Sequence, residues 1–442
     1  GIAVTKLTSP LTGRMGRRGL MKAGLAAGAM AALPHTGLAS QATPAASPVT
    51  HEYTGGPASI TYGFWDTAQE EAITNQLAAF SELYPDITVE PQIVPWADYW
   101  TQLQTGVAGG QIFDVFWINS ANLPVYASAD TLLPIDPLIE SGAIDPGNFP
   151  DPLVAMYGWD GAQYGIPRDF DTIALFYNKD LFDAAGVAYP DDTWDWETFR
   201  ATAEQLTDES AGIWGAGMQT SWQENYYNFI FQNEGRLLND DLTASLVGEP
   251  AACEAFEYLT GFFTDNLTPS IAIQQSNPVA DTLFPAGQVA MMTGGSFRAG
   301  TYAGADANID VAPLPQGTVR ACVTHGLANV IWSGTESPEA ALALVNFLAG
   351  EEAERILGES GATIPAMQGM QDNWLSANPD MNLQVFIDAL DYAQKVPDPP
   401  VGFEWQVAIQ EVVVEGWSGN ITPDQICVQA AEAADAALVP QE

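Results

Sequence analysis

Basic side chains are scarce in this 442-residue chain: 13 Lys and Arg stand against 55 Asp and Glu, a formal net charge of −42. Five of the 13 (Lys6, Arg14, Arg17, Arg18 and Lys22) fall within the first 22 residues, so the rest of the chain is almost purely anionic. A surface of that sign repels phosphate backbones. No nucleic-acid partner is expected, and anionic ligands such as sugar phosphates are disfavoured. Direct attraction of a cationic solute stays open beside the plainer role of acidity in solubility. Histidine is scarcer still. Of His35, His51 and His325, only the last falls in the part expected to fold. A two-histidine zinc site or a histidine relay is therefore hard to build.

Cys253, Cys322 and Cys427 are odd in number and widely spaced. They carry no metal signature and leave room for at most one intramolecular disulfide, outside the cytoplasm. No phosphate-cradling loop or dinucleotide fingerprint is present, so no cofactor is expected. Gly294-Gly295-Ser296-Phe297-Arg298 lacks the spacing of a nucleophile elbow. With no metal and no catalytic residue indicated, an enzyme is not expected. A pair of carboxylates for glycoside cleavage is the one catalytic arrangement left open by so many acids.

The first 42 residues have the order of an export signal. Arg17-Arg18-Gly19-Leu20-Met21-Lys22 is a twin-arginine pattern. An apolar stretch over 23–33 follows, too short to span a bilayer, and then small residues at Gly37, Ala39, Ser40 and Ala42. Residues 43–57, rich in Ala, Pro and Ser, read as a flexible tether. The expected location is periplasmic or extracellular, associated with the cell surface. No Cys near the cleavage region supports a lipid anchor.

Apolar residues make up 47% of the chain, enough for a packed core. Strand and helix patterns alternate. Residues 59–65 and 87–94 read as strands, and 114–118 is a continuous apolar run suited to a parallel strand covered on both faces. Thr67 and Glu70 are spaced as a capping box before Ile73, Leu77 and Phe80, and Trp100, Leu103 and Val107 form a second helical stripe. Further on, 164–178 is a long extended segment, 194–206 a helix, and Ala252, Phe256, Leu259 and Phe263 another stripe. Residues 289–292 and 309–313 read as strands. Ser337-Pro338 and the Thr422/Gln425 box open two late helices. The alternation implies an α/β fold with a parallel sheet.

Several segments resemble one family. They are Phe64-Trp65-Asp66, Phe80 with Tyr84-Pro85, and Asp114-Val115-Phe116-Trp117. The most specific is Tyr164-Gly165-Ile166-Pro167-Arg168-Asp169-Phe170-Asp171 continuing to Tyr177-Asn178-Lys179-Asp180-Leu181-Phe182. Phe284-Pro285-Ala286-Gly287 with Gly295-Ser296-Phe297 and Gly361 with Ile364-Pro365 follow in the family's order. Together they resemble the extracellular solute-binding proteins of ABC-type sugar importers, the maltose-binding-protein-like group. Gln102 departs from the pattern, standing where Lys is common. The resemblance implies the periplasmic-binding-protein type II fold, with two hinged lobes, a discontinuous chain and a ligand cleft between them. Lobe one is expected over 58–167 and 316–350, lobe two over 168–309 and 351–442, with joining strands near 167–171 and 310–315. The implied partners are a small-molecule carbohydrate and the membrane permease subunits of the importer, the receptor itself being a monomer.

Sugars offer apolar C–H faces to aromatic rings and hydroxyls to carboxylates and amides. The resemblance places Trp117, Trp222, Tyr226, Phe297 and Trp405 as stacking surfaces, with core packing as the rival role of each. Trp65 and Asp66 follow the first strand, where ligands sit in open α/β sheets, and Asp66 is either a hydroxyl acceptor or a helix cap. Asn119, Asp169 and Asp171 are further acceptors. Gly295 and Ser296 form a turn whose bare backbone admits a ligand closely. Arg168 and Arg298 either pair with carboxylates or donate to the ligand. A neutral mono- or oligosaccharide is the expected ligand. A polyamine or betaine held by acids and aromatic rings is the alternative, and a secreted carbohydrate-active enzyme is a third reading.

Overall fold

The computed structural model describes residues 52–439. The expected signal over 1–42, the first part of the tether, His35 and His51 lie outside the described residues. Strand β1 (Ala58–Phe64) pairs in parallel with β2 (Ile87–Ile93) and β3 (Val115–Asn119). Parallel neighbours need long crossovers, and helices α1 (Glu70–Leu83) and α2 (Trp96–Gly109) supply them. The stripe Ile73, Leu77 and Phe80 buries α1 against the sheet; fully burying a ring such as Phe80 contributes roughly 2–3 kcal/mol. The cap ahead of α1 comes from Asp66 rather than from the expected Thr67/Glu70 box. Its Oδ1 accepts from the Ala68 N–H at 2.9 Å.

Strand β4 (Pro167–Asn178) is buried along all twelve residues. Alternate side chains serve opposite faces, with Ala174 and Phe176 in one core and Ile173, Leu175 and Tyr177 in the other. Its last residues pair with β5 (Met291–Gly295) and β6 (Ile309–Ala312). Its first residues pair with β7 (Cys322–Trp332) and β8 (Ile364–Pro365). Strand β7 also reaches into both lobes. Cys322–Thr324 lie beside β9 (Ala393–Lys395), and Leu327–Ile331 run antiparallel to β3. The first sheet has the order β8-β4-β7-β3-β1-β2. Two long antiparallel strands, β4 and β7, thus join the lobes.

This differs from the expected second joining segment at 310–315. Ile309–Ala312 is instead a strand beside Leu175–Asn178 within the second lobe. The expected lobe boundary at 351 also differs. Helix α7 (Glu351–Glu359), which follows α6 (Pro338–Leu348), docks on α1, where Gln76 Nε2 donates to the Ala353 carbonyl at 2.8 Å. Helices α3 (Lys179–Ala185), α4 (Trp196–Leu206), α5 (Pro250–Thr264), α8 (Glu404–Trp417) and α9 (Pro423–Leu438) belong to the second lobe. The Thr422/Gln425 capping box opens α9 as expected. Cys253 of α5 and Cys427 of α9 form a disulfide, and Cys322 is a buried free thiol.

Candidate functional site

Parallel strands deliver residues to a cleft at their carboxyl ends. In the first lobe those ends carry Trp65 and Asp66 after β1, Trp96 after β2, and Asn119 on β3. Trp65 is partly exposed and stands perpendicular to Trp117 at 5.2 Å. Trp117 is sealed. Its Nε1 donates to the Tyr62 hydroxyl at 2.7 Å, and the Arg168 guanidinium lies 4.2 Å over the ring. Expected as a stacking surface, Trp117 is a support behind Trp65, because its face is already taken. The acceptors of Asn119 and Asp66 are also engaged within their own lobe. Asn119 Oδ1 accepts from the N–H and Nδ2 of Asn122 at 3.0 and 2.8 Å. Asp66 Oδ2 accepts from Gln69 Nε2 at 3.1 Å, in addition to capping the helix.

The joining strands form a polar floor. Arg168 Nη1 donates to Gln69 Oε1 at 2.8 Å and to Asp169 Oδ2 at 2.5 Å, while Asp169 Oδ1 accepts from the Leu327 N–H at 2.9 Å. Burial pushes the Asp169 carboxyl up to about 6 against the pull of Arg168. Asp171 accepts from Gln223 Nε2 at 3.1 and 3.2 Å, which ties the floor to the second lobe. Burial, with the charges of Asp169 and Glu224, holds Asp171 well above the usual carboxylate range. The buried Tyr157 phenol is raised likewise, by burial first and then by Asp169, Asp398 and Asp171. Among the described residues, the Tyr157 hydroxyl and Arg168 Nη2 have no protein hydrogen-bond partner. Each such buried group costs about 1–3 kcal/mol unless something polar meets it. Both are sealed from solvent, as are the Tyr226 hydroxyl and Trp405 Nε1, which also have no protein partner.

The second lobe brings two turns together. Trp222–Tyr226 is a wide helical turn in which the Ser221 hydroxyl accepts from the Glu224 N–H at 3.1 Å. Glu224 then accepts two bonds from Arg298, at 2.5 and 2.8 Å, and one from the Gly295 N–H at 3.2 Å. That bidentate pair locks the Trp222 turn to Gly295-Ser296-Phe297. Phe297 is 37% exposed, Trp222 is partly exposed, and the buried Ser296 hydroxyl has no protein partner. A recess of about 410 Å³ opens here, lined by residues that include Ser221, Trp222, Asp281, Arg298 and Gln410. Tyr226 and Trp405 are not on this wall as open stacking surfaces. Tyr226 packs at 5.6 Å from Phe256, and Trp405 stacks on Tyr227 at 6.1 Å and 13°. Both side chains are fully buried in the second core.

Sequence reasoning missed Tyr157, Gln69, Gln223, Glu224 and Trp96. For Trp96 a signal existed, because the strand-end rule that singles out Trp65 applies equally after β2. Nothing local marks Tyr157, whose charged neighbours come from distant segments. Arg168 and Arg298 both turn out to pair with carboxylates. Among the described residues, no group of three or more His, Cys, Asp and Glu side chains is arranged to hold a metal ion. No helix among them is long and apolar enough to cross a membrane.

A putative binding protein of Brucella abortus is 26% identical over 370 residues, which span 81% of this chain and 88% of that protein. The maltotriose-binding protein of Pyrococcus abyssi is 25% identical over 365 residues, 77% of this chain and 75% of its own. Among solved structures, an ABC substrate-binding protein of Listeria monocytogenes in complex with cycloalternan superposes with a TM-score of 0.81 at 28% identity. The match covers 86% of this chain and 98% of that one. A Streptomyces glaucescens receptor, solved unliganded and with acarbose, shares the fold at 20% identity and a TM-score of 0.77, over 87% and 99% of the two chains. The family model described as bacterial extracellular solute-binding protein matches residues 65–355, a span that holds the lobe-joining strands and both cleft walls. The chain therefore belongs to the bacterial extracellular solute-binding protein family.

Proposed function

We propose that this protein is the receptor of an ABC importer and captures a neutral mono- or oligosaccharide between its lobes. The observation that carries this reading is the set of aromatic rings left partly exposed on the two lobes, beside a floor of buried polar groups that includes Tyr157 and Arg168. Partly exposed aromatic rings stand on both walls, Trp65 on one and Trp222 and Phe297 on the other. Polar groups below and flat rings beside are what a sugar needs. Two acids of the cleft are already neutralised from within, Asp169 by Arg168 and Glu224 by Arg298. That favours an uncharged ligand over a polyamine or betaine. The sugars named for relatives, maltotriose and cycloalternan, agree with this class.

The protein works as a binder without turnover, outside the cytoplasm, in the periplasm or at the cell surface, and hands its ligand to permease subunits as a monomer. The Cys253–Cys427 disulfide supports an oxidising compartment. Titration calorimetry with a panel of neutral sugars, alongside spermidine and glycine betaine, tests the reading. Saturable binding of a sugar, insensitive to salt and weakened by Trp222→Ala, is expected. Salt-sensitive binding of spermidine or betaine alone would reverse it.

A further inference from the structure

The geometry points to Trp96 as the platform for an outer sugar unit, and hence to an oligosaccharide rather than a single sugar as the ligand; this rests on the sugar-receptor reading above. Trp96 begins α2, directly after Pro95. The Val94 N–H donates to the Phe64 carbonyl at 2.9 Å, so the end of β2 lies abreast of the end of β1. Trp96 is thereby set beside Trp65, at the carboxyl ends of the strands that face the cleft.

Its exposure is 47%, whereas Trp117, Trp374 and Trp405 are fully buried. An indole left that open is ordinarily free to change rotamer. This one is held by two neighbours, Trp65 at 5.1 Å and 71° and Trp100 at 5.4 Å and 87°. Trp100 is itself buried and in ring contact with Phe403, which directly precedes α8 of the second lobe. The two contacts hold the indole in place while nearly half of its surface stays open to solvent. Fixing an aromatic surface in advance removes the ordering cost of binding. A sugar ring on Trp65 and the polar floor would have its next unit directed to Trp96. The second lobe has its own recess of about 410 Å³ beside Trp222.

The test is calorimetry on the full-length protein with matched pairs: glucose and maltotriose, galactose and galactotriose, arabinose and arabinotriose. The wild type should bind one trisaccharide at least about tenfold more tightly than its monosaccharide. Trp96→Ala should weaken that trisaccharide roughly three- to tenfold and leave the monosaccharide unchanged, with Trp96→Phe recovering most of the loss. Equal affinity of the wild type for both members of a pair would overturn the proposal. So would a Trp96→Ala effect that is absent, or equal for both, while sugar binding itself persists. If no sugar binds at all, the receptor reading falls and this inference falls with it.

Discussion

The guanidinium of Arg168 stands 4.2 Å over the ring of Trp117, and the two side chains are 3% and 0% exposed. The same guanidinium pairs with Asp169, which is also buried. Arg168 therefore plugs the floor between the two strands that join the lobes. Removing it uncovers Trp117 and leaves Asp169 as a buried, unpaired carboxylate. Arg168→Met is expected to cost about 3–5 kcal/mol in urea denaturation. The double variant Arg168→Met, Asp169→Asn should recover part of that loss, because no lone charge remains. A single variant within about 1 kcal/mol of wild type would show the pair to be no more than a surface contact.

Two groups on the joining strands, the partly exposed His325 and the buried Asp169, titrate with opposite signs. Burial holds the His325 imidazole down to about 4 from 6.5, so the native state binds fewer protons than the unfolded chain across that window. Its contribution to stability is lost as pH falls from 6.5 towards 4. Asp169 is pushed up from 3.8 to about 6, so the native state binds more protons there, and stability is lost as pH rises through the window. His325→Gln should therefore gain stability relative to wild type as pH falls below about 6. Asp169→Asn should gain relative to wild type as pH rises over the same range. Urea midpoints measured across it check both signs, and profiles parallel to wild type would contradict the displaced titration of these groups.

The Cys253–Cys427 bridge joins α5 to α9 across 174 residues of sequence. A crosslink closing so long a loop removes much of the unfolded chain's freedom, with a typical effect of about 2–5 kcal/mol. Reduction, or Cys253→Ser with Cys427→Ser, should lower the Tm and the urea midpoint by a matching amount. Thiol titration should detect no reactive cysteine in the native protein and one, Cys322, after unfolding without reductant. Two or more thiols under the second condition would mean that the bridge is absent.

What was legible in the sequence was local. The stripes of α1, α2 and α5 recur within one element, the segment that became β4 is one continuous extended run, and tertiary packing agreed with them. Strand β7 was illegible because Thr324, His325 and Gly326 break its apolar run midway. The same limit governed the site. Trp65 and Asp66 could be placed by the rule that cleft residues follow strand ends. The burial of Trp117 depends on Arg168, far along the chain, and that of Trp405 on Tyr227. An aromatic residue in the right motif says that a ring is there; only the neighbours across the fold say whether its face is free.

Gly326 lies on β7 directly opposite Phe170 of β4. A Cβ built at Gly326 would fall 2.5 Å from the Asp169 carbonyl oxygen and 3.3 Å from the Phe170 Cα. Both are backbone atoms and cannot swing aside, so even one methyl group must push the two joining strands apart. That shift would be felt at Asp169, whose Oδ1 accepts from the Leu327 N–H, and at Asp171 next along β4. Gly326→Ala is expected to cost roughly 1–3 kcal/mol, as overpacking a closely fitted interior does. It should also weaken ligand binding, because the polar floor and the hinge share these strands. Gly300→Ala is the control. Its Cβ would meet only the Gly361 carbonyl, at 3.5 Å, and the unfolded chain would lose freedom, so stability should be unchanged or rise by up to about 1 kcal/mol. If Gly326→Ala folds as stably as the control and binds as tightly, close approach of β4 and β7 is not what sets the hinge.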